Sequence, residues 1–420
     1  MARLRAVSAL RYAGPCLVSA GGDIAVHGEP SPGVWARSMP DVAIPSCASP
    51  SVISPSPVGT EIAGAEGSAP YERPALSKQL LTGARTAASL ALRPDQAWGE
   101  NEIDLRLDTP ITYLDLTTRR ALTSTGETLR FEVLVVATGA RARRLEALSH
   151  LPRVSHLRTL ADATGLRERL AEGDRLAIIG AGLIGAEVAS TVLALGVTPI
   201  LIEAGETPLE RAFGRDVGAL LAEHWRSAGV SVRTRAQLRN VRADLRGRVD
   251  SLALSDDSIV ECDHVLVAIG AVPETRLIDS LLERAPDGGI ATDSRGRTSV
   301  PDVFACGDVA SWHRESIGRS ARAENWTSAA NQAAIVARTI LGDAETRDEP
   351  FYAWSDQFGL RLQHVSTGEA WEEVAIERYG DAFEARYLDR DGRLVAALVA
   401  NRPGAIAAFR RDLAPVSTPA

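Results

Sequence analysis

The chain has 420 residues, 45% of them hydrophobic and 24% charged, which is the composition of a globular protein with room for about three domains. No run approaches the ~18 consecutive apolar residues of a membrane span, and a formal net charge of −8 argues against a dedicated nucleic-acid binder. Four cysteines, with no CxxC and no histidine at zinc-ligand spacing, exclude a disulfide scaffold and a zinc site.

Residues 1–60 hold eight of the 22 prolines, nine serines and two of the four cysteines. Proline fixes φ and lacks a backbone donor, so this spacing rules out a long helix or a central strand. From Met1 to Gly22 there are three arginines (Arg3, Arg5, Arg11) and no acid, yet Arg11 and Pro15 interrupt every apolar run. The segment reads as an atypical, poorly ordered tail rather than a targeting signal.

From residue 61 the pattern becomes α/β. A short apolar run EIAGAE (61–66) leads into PYERPALSKQLL (70–81), an extended turn followed by a helical pattern. Strands follow at 104–107 and 111–116, then a hairpin signal STGETL and the buried-strand run VLVVATG (133–139). The strand RLAIIG (175–180) opens onto a small-residue helix, followed by strand VTPILIE (197–203), helix DVGALLAEHWRSAG and strand VSVRT (230–234). HVLVAIG (264–270) and VPDVFACGD (300–308) are further strands. Alternation of this kind implies parallel sheets covered by helices. Beyond Phe351 the strands are shorter and antiparallel in pattern, which suggests a small α+β domain.

Gly180-Ala181-Gly182-Leu183-Ile184-Gly185 is a GxGxxG that follows a strand, opens a helix, and precedes Glu203 at the end of the next strand. That context is the dinucleotide fingerprint: the glycines let backbone amides approach a pyrophosphate at a positive helix end. Glu203 is expected to accept hydrogen bonds from the adenosine ribose and to repel the extra phosphate of NADP, which favours NADH. Arg211 is the residue that would take that phosphate instead.

In order along the chain, PYERPALSK (70–78), VVATGARARRL (135–145), GAGLIGAE (180–187), VAIGAVPET (267–275), VFACGDVASW (303–312), RAENW (322–326) and WSDQFGLRLQ (354–363) resemble the FAD-dependent, NADH-linked ferredoxin reductases of oxygenase systems. The resemblance runs from about Gly64 to the carboxyl terminus. It implies two Rossmann-like domains, the FAD domain split by an inserted NAD domain, and a small C-terminal α+β domain. The boundaries are then 1–60 for the atypical segment, 61–143 and 271–345 for the FAD domain, 144–270 for the NAD domain, and 349–420 for the C-terminal domain.

Carried over by motif, Lys78 lies near the reactive face of the flavin and Glu187 near the nicotinamide, where it can pair with Lys78; these two are the expected catalytic residues. Glu66 holds the FAD ribose, Ile111 offers a backbone contact to the adenine half, Arg141 reaches the pyrophosphate, Asp308 bonds the ribityl chain and Trp326 lines the flavin. Arg73, Thr138, Gly139, Gly270 and Gly307 complete the cofactor-binding set. The implied partner is a 2Fe–2S ferredoxin, in the cytoplasm, with a monomer and a homodimer both open and no nucleic acid or membrane involved. Cys262 and Cys306 are far apart and outside any CxxC, which disfavours disulfide-reductase chemistry. Arg314, Arg319 and Arg322 read as an ordinary solvated face, with a ferredoxin-docking patch as the alternative.

One part of the pattern is missing. The family begins with its own strand–GxGxxG–helix about 25 residues before the acid that Glu66 matches. Here the region reads PDVAIPSCASPSVISPSPVGT, with five prolines and no such motif, so the first βα unit is degenerate and FAD binding is in doubt. A shifted reading frame before about residue 60 is the favoured explanation; a flavin-free NAD-binding remnant and an unusual backbone that still holds FAD are the others. Within the enzyme class, an NADH oxidase-type flavoprotein is the rival.

Overall fold

The computed structural model describes residues 60–342 and 349–413, together with the backbone of short strands at Leu17–Ser19, Ile24–Val26 and Ala36–Arg37. The expectation of a poorly ordered 1–60 segment otherwise lies outside the described residues. The chain divides into two compact units. One takes the chain up to Glu72, Leu90–Arg141 and Val272–Asp348; the other takes Arg73–Ser89, Ala142–Ala271 and Glu349–Ala420.

The second unit contains a five-stranded parallel sheet in the order Val154–Ser155, His264–Val267, Arg175–Ile179, Thr198–Ile202, Ser231–Arg233. Near-continuous apolar strands fit a sheet buried on both faces: Leu176, Ala177, Ile178, Val265, Leu266 and Leu201 are fully enclosed. Helices Leu160–Arg169, Leu183–Leu193 and Arg215–Ser227 belong to the same unit. The first is started by a capping box, in which Thr159 accepts from the Asp162 amide and the Asp162 carboxylate accepts from the Thr159 amide. Trp225 and Leu221 bring the third helix into the common core with Val188 and Val192.

The carboxyl-terminal part of this unit is a five-stranded antiparallel sheet, ordered Phe351–Gln357, Leu360–Ser366, Leu394–Ala400, Ala382–Leu388, Glu373–Tyr379. The helix Pro403–Asp412 covers it through Ile406 and Phe409, packed with Val365, Ala397 and Val399. Where the sequence predicts an extended turn followed by a helical pattern within 70–81, the structure has a 3-10 turn at Arg73–Ala75 and one π-helical turn at Leu76–Leu80. Two turns of apolar spacing do not distinguish these windings from an α-helix, and single π-turns concentrate at functional sites.

In the first unit the parallel strands form two pairs, Thr60–Ala63 with Ile103–Arg106 and Leu134–Val136 with Val303–Ala305. Among the described residues these pairs are not hydrogen-bonded to each other; Ala36–Arg37 pairs antiparallel with Thr60–Ala63. Two three-stranded sheets complete it, one from Ile111–Asp115, Arg120–Thr123 and Thr128–Arg130, the other from Ile290–Thr292, Ala310–Arg314 and Arg319–Ala321. The core gathers Ile62, Trp98, Val135, Phe304, Trp312 and Val336. Helix Trp326–Leu341 supplies Val336; Asn325 caps its start, accepting from the Ser328 amide at 2.8 Å, and Gly342 ends it at φ +84°.

Candidate functional site

The strand Arg175–Ile179 delivers the chain into the fingerprint turn, and the sheet dictates its glycines. A Cβ on Gly180, at φ +104°, would run into the Ala268 carbonyl oxygen, and one on Gly185 into the Gly180 carbonyl oxygen. At Gly182 no atom lies within 4 Å of where a Cβ would stand, which leaves that side open to a close ligand. Helix Leu183–Leu193 starts there, its first residues being Leu183 and the 44%-exposed Ile184. The Glu203 carboxylate ties the turn to the next strand end, accepting from the Ala181 amide at 2.9 Å and the Gly205 amide at 2.8 Å. Free amides at a helix start, an open glycine and a carboxylate at the following strand end form a site for a dinucleotide. Arg211 is exposed on the short helix Glu210–Phe213, and Gly270, at φ +96°, accepts the Arg143 amide.

One turn further along the same helix stands Glu187, 4% exposed. Lys78 Nζ is 2.6 Å from Glu187 Oε2, and Ser77 Oγ donates to that same oxygen at 2.5 Å. Ser355 Oγ donates to Oε1 at 2.7 Å, and Gln357 Nε2 donates to Ser355 Oγ at 3.1 Å. The helix clamps both contributing segments: Thr191 Oγ1 donates to the Ser77 carbonyl at 2.7 Å, and Ser190 Oγ accepts the Phe358 amide at 2.7 Å. Arg73, from the same motif as Lys78, donates instead to the Arg158 carbonyl at 2.9 Å. Ser77, Ser355 and Gln357 are not among the residues expected from sequence. A signal for the cluster was nevertheless present, because Lys78 is the only lysine among the 46 Lys and Arg residues. An ammonium kept where every other cation is a guanidinium marks a place that needs a compact point charge.

The first unit carries a separate cluster. Glu66 accepts from the Tyr71 hydroxyl at 2.6 Å. Asp308 is 6% exposed in the turn Gly307–Val309, and the turn is held by the Gly307 amide donating to Gln332 Oε1 at 2.8 Å. Thr138 Oγ1 donates to the Glu274 carbonyl at 2.6 Å, and the Gly139 carbonyl accepts the Glu274 amide. Arg141 is half exposed, with Nε 3.5 Å from the Glu274 carboxylate, which Arg276 grips more closely at 2.7 and 2.8 Å. Glu274 is a further residue that sequence reasoning missed. Ile111 opens its strand, and Trp326 opens its helix against Ala329 and Leu92. Two carboxylates, Glu66 and a nearly buried Asp308 on a tied turn, are the acceptors that ribose and ribityl hydroxyls require, so these residues fit the hydroxyl-bearing parts of FAD. A glycine-rich strand-to-helix turn for its pyrophosphate is not among the described residues of this unit.

The solvated arginine face is a correction. Arg314 is 3% exposed at the end of the strand Ala310–Arg314, and Arg322 turns its guanidinium onto Glu324 and the Asp308 carbonyl. Only Arg319 of the three is exposed, so the three form neither a solvated face nor a basic patch. Cys262 and Cys306 are buried, and burial pushes the Cys262 thiol up to about 12, out of reach of thiolate chemistry. Among the described residues no His/Cys/Asp/Glu group is arranged to hold a metal, and no helix is long and apolar enough to cross a membrane.

Comparisons with known proteins agree with this geometry. Residues 55–333 match the pyridine nucleotide-disulphide oxidoreductase family, and residues 352–419 match the reductase C-terminal domain. The ferredoxin–NAD(+) reductase component of the p-cumate 2,3-dioxygenase system of Pseudomonas putida is 34% identical over 83% of this chain and 85% of its own length. A rubredoxin–NAD(+) reductase of the same organism is 31% identical over 82% of this chain and 90% of its own. Putidaredoxin reductase, in its covalent complex with putidaredoxin, superposes with a TM-score of 0.81 at 29% identity, covering 85% of this chain and 87% of that one. The five-stranded parallel sheet, the fingerprint turn and the matched stretches lead to one assignment: the chain belongs to the pyridine nucleotide-disulphide oxidoreductase family and carries its reductase C-terminal domain.

Proposed function

We propose that this chain is an NADH-dependent reductase that binds NADH and FAD and delivers electrons to a small 2Fe–2S ferredoxin serving an oxygenase, in the cytoplasm. The observation that carries the reading is that one helix performs two tasks. Its first turn presents the open amides of Gly182 and its neighbours, and its Glu187 holds the chain's sole lysine. Relatives of known activity are ferredoxin and rubredoxin reductases that use NAD(+), which supports the class of acceptor.

FAD, when bound, supplies the conversion of a two-electron hydride into single electrons. The residues of the chain do the rest. The fingerprint amides bind the NADH pyrophosphate, and Glu203 selects the unphosphorylated ribose. Glu66, Ile111, Arg141, Gly307, Asp308 and Trp326 are the residues that would hold FAD. Glu187 fixes Lys78 as a cation in a site with little water, where a fixed positive charge stabilises developing negative charge more than it does in solution.

The test is the absorbance spectrum of the purified chain, followed by turnover. A yellow protein that reduces a 2Fe–2S ferredoxin with NADH in preference to NADPH is expected. A colourless protein that takes up no added FAD overturns the reading, and electron delivery to oxygen alone replaces it by an NADH oxidase.

A further inference from the structure

The Glu187 carboxylate is held from two directions. Lys78 and Ser77 occupy Oε2, and the C-terminal domain occupies Oε1 through Ser355. Ser355 is itself fixed: it is 1% exposed, receives Gln357 Nε2, and lies three residues before the Phe358 amide that is pinned to Ser190. Gln357 is 2% exposed, and its Oε1 has no hydrogen-bond partner among the described residues. A buried amide that spends its donor on a serine holds that serine in one orientation. The direction of aim is set by chemistry. With its oxygen accepting from Gln357, the Ser355 hydroxyl has its proton left for Glu187.

We infer that Ser355, oriented by Gln357, is a positioning residue: it holds one oxygen of Glu187 so that the other faces Ser77 and Lys78, and thereby fixes the Lys78 ammonium. Its bearing on hydride transfer rests on the reductase reading above; its effect on Lys78 does not. The C-terminal domain therefore contributes to the nucleotide chemistry. Without the Ser355 hydroxyl, Oε1 loses its hydrogen-bond donor in a buried place. The carboxylate then turns to share Lys78 and Ser77 between its two oxygens, and the ammonium loses its fixed seat.

The sole lysine makes this measurable without any cofactor. An amine-acylating reagent applied to the folded full chain labels Lys78 and the α-amino group, which fall in different peptides and are separated by mass spectrometry. Ser355→Ala is expected to label Lys78 about tenfold faster than the parent chain, the factor that corresponds to one lost hydrogen bond. Ser355→Thr, which restores a hydroxyl, is expected to return to the parent rate. Gln357→Leu, which leaves the hydroxyl but removes what aims it, is expected to fall between them, and it serves if Ser355→Ala does not fold. Equal Lys78 labelling in the parent and in either folded loss variant overturns the inference, as does Ser355→Thr labelling as fast as Ser355→Ala. A colourless chain with Ser355-dependent labelling keeps this inference and removes the reductase reading; a yellow, active chain with indifferent labelling does the reverse. In an active enzyme the same substitution is expected to lower kcat while leaving KM for NADH within about twofold, because Ser355 hydrogen-bonds Glu187 and Gln357 and not the fingerprint glycines.

Discussion

The sheet of the second unit runs unbroken through five parallel strands, whereas the parallel strands of the first unit come in two pairs that the described residues do not join. In the former, the nucleotide turn is shaped by backbone. The Gly180 amide donates to Ile202 in the neighbouring strand, and Glu203 at the end of that strand reaches back to the Ala181 amide. In the latter, the candidate residues follow short paired strands, and single side chains add to the hold, Tyr71 on Glu66 and Gln332 on Gly307. A site built on a continuous ladder is held by many bonds at once, and a site built on individual side chains depends on each of them.

The largest blow to the second unit is expected from Lys78→Met, which leaves Glu187 buried without its cation. Breaking a buried pair from one side costs about 3–5 kcal/mol, read by denaturant unfolding. A change below about 1 kcal/mol would show that the serines alone satisfy the carboxylate. Acid is the next lever on the same unit. His364 lies against the Phe213 and Tyr387 rings, and burial holds its pKa down to about 4. The unfolded chain takes up this proton near pH 6.5 and the folded chain only near 4, so stability is expected to fall as pH drops through that window, by at most about 3 kcal/mol, and to be flat above it. His364→Leu should flatten the slope between pH 6.5 and 4; an unchanged slope would assign it to other groups. The smallest stability effect, and the sharpest contrast, is expected from Gln332→Leu in the first unit. It leaves the Gly307 amide unpaired for about 1–2 kcal/mol, yet it should strip flavin while NADH titration stays unchanged. Equal loss of both ligands would erase the distinction between a side-chain-held and a ladder-held site.

Much of this was legible in the chain itself. The fingerprint needed only short-range spacing, since Gly180, Gly182, Gly185 and Glu203 fall within one βαβ unit. The C-terminal sheet announced itself by its change of pattern after Phe351. What spacing did not reveal was Ser355 and Gln357, although both sit in a motif that was recognised, because their meaning depends on a helix far away in sequence. Arg314, Arg319 and Arg322 misled for a related reason. A run of like charge says nothing of which residue the strand Ala310–Arg314 turns inward, and its last residue is inside. A count that pools lysine with arginine hides that Lys78 stands alone.

Ser77 and Ser355 lie 110 and 168 residues from Glu187, on opposite sides of it in the chain. During synthesis the lysine segment and the fingerprint helix leave the ribosome early, and the last donor to the carboxylate follows roughly ten to thirty seconds later at ordinary elongation rates. The cluster closes only when the strand Phe351–Gln357 docks, a long-range contact of the kind that forms late and slowly. Completion of the charge cluster is thus timed by the last domain to be made.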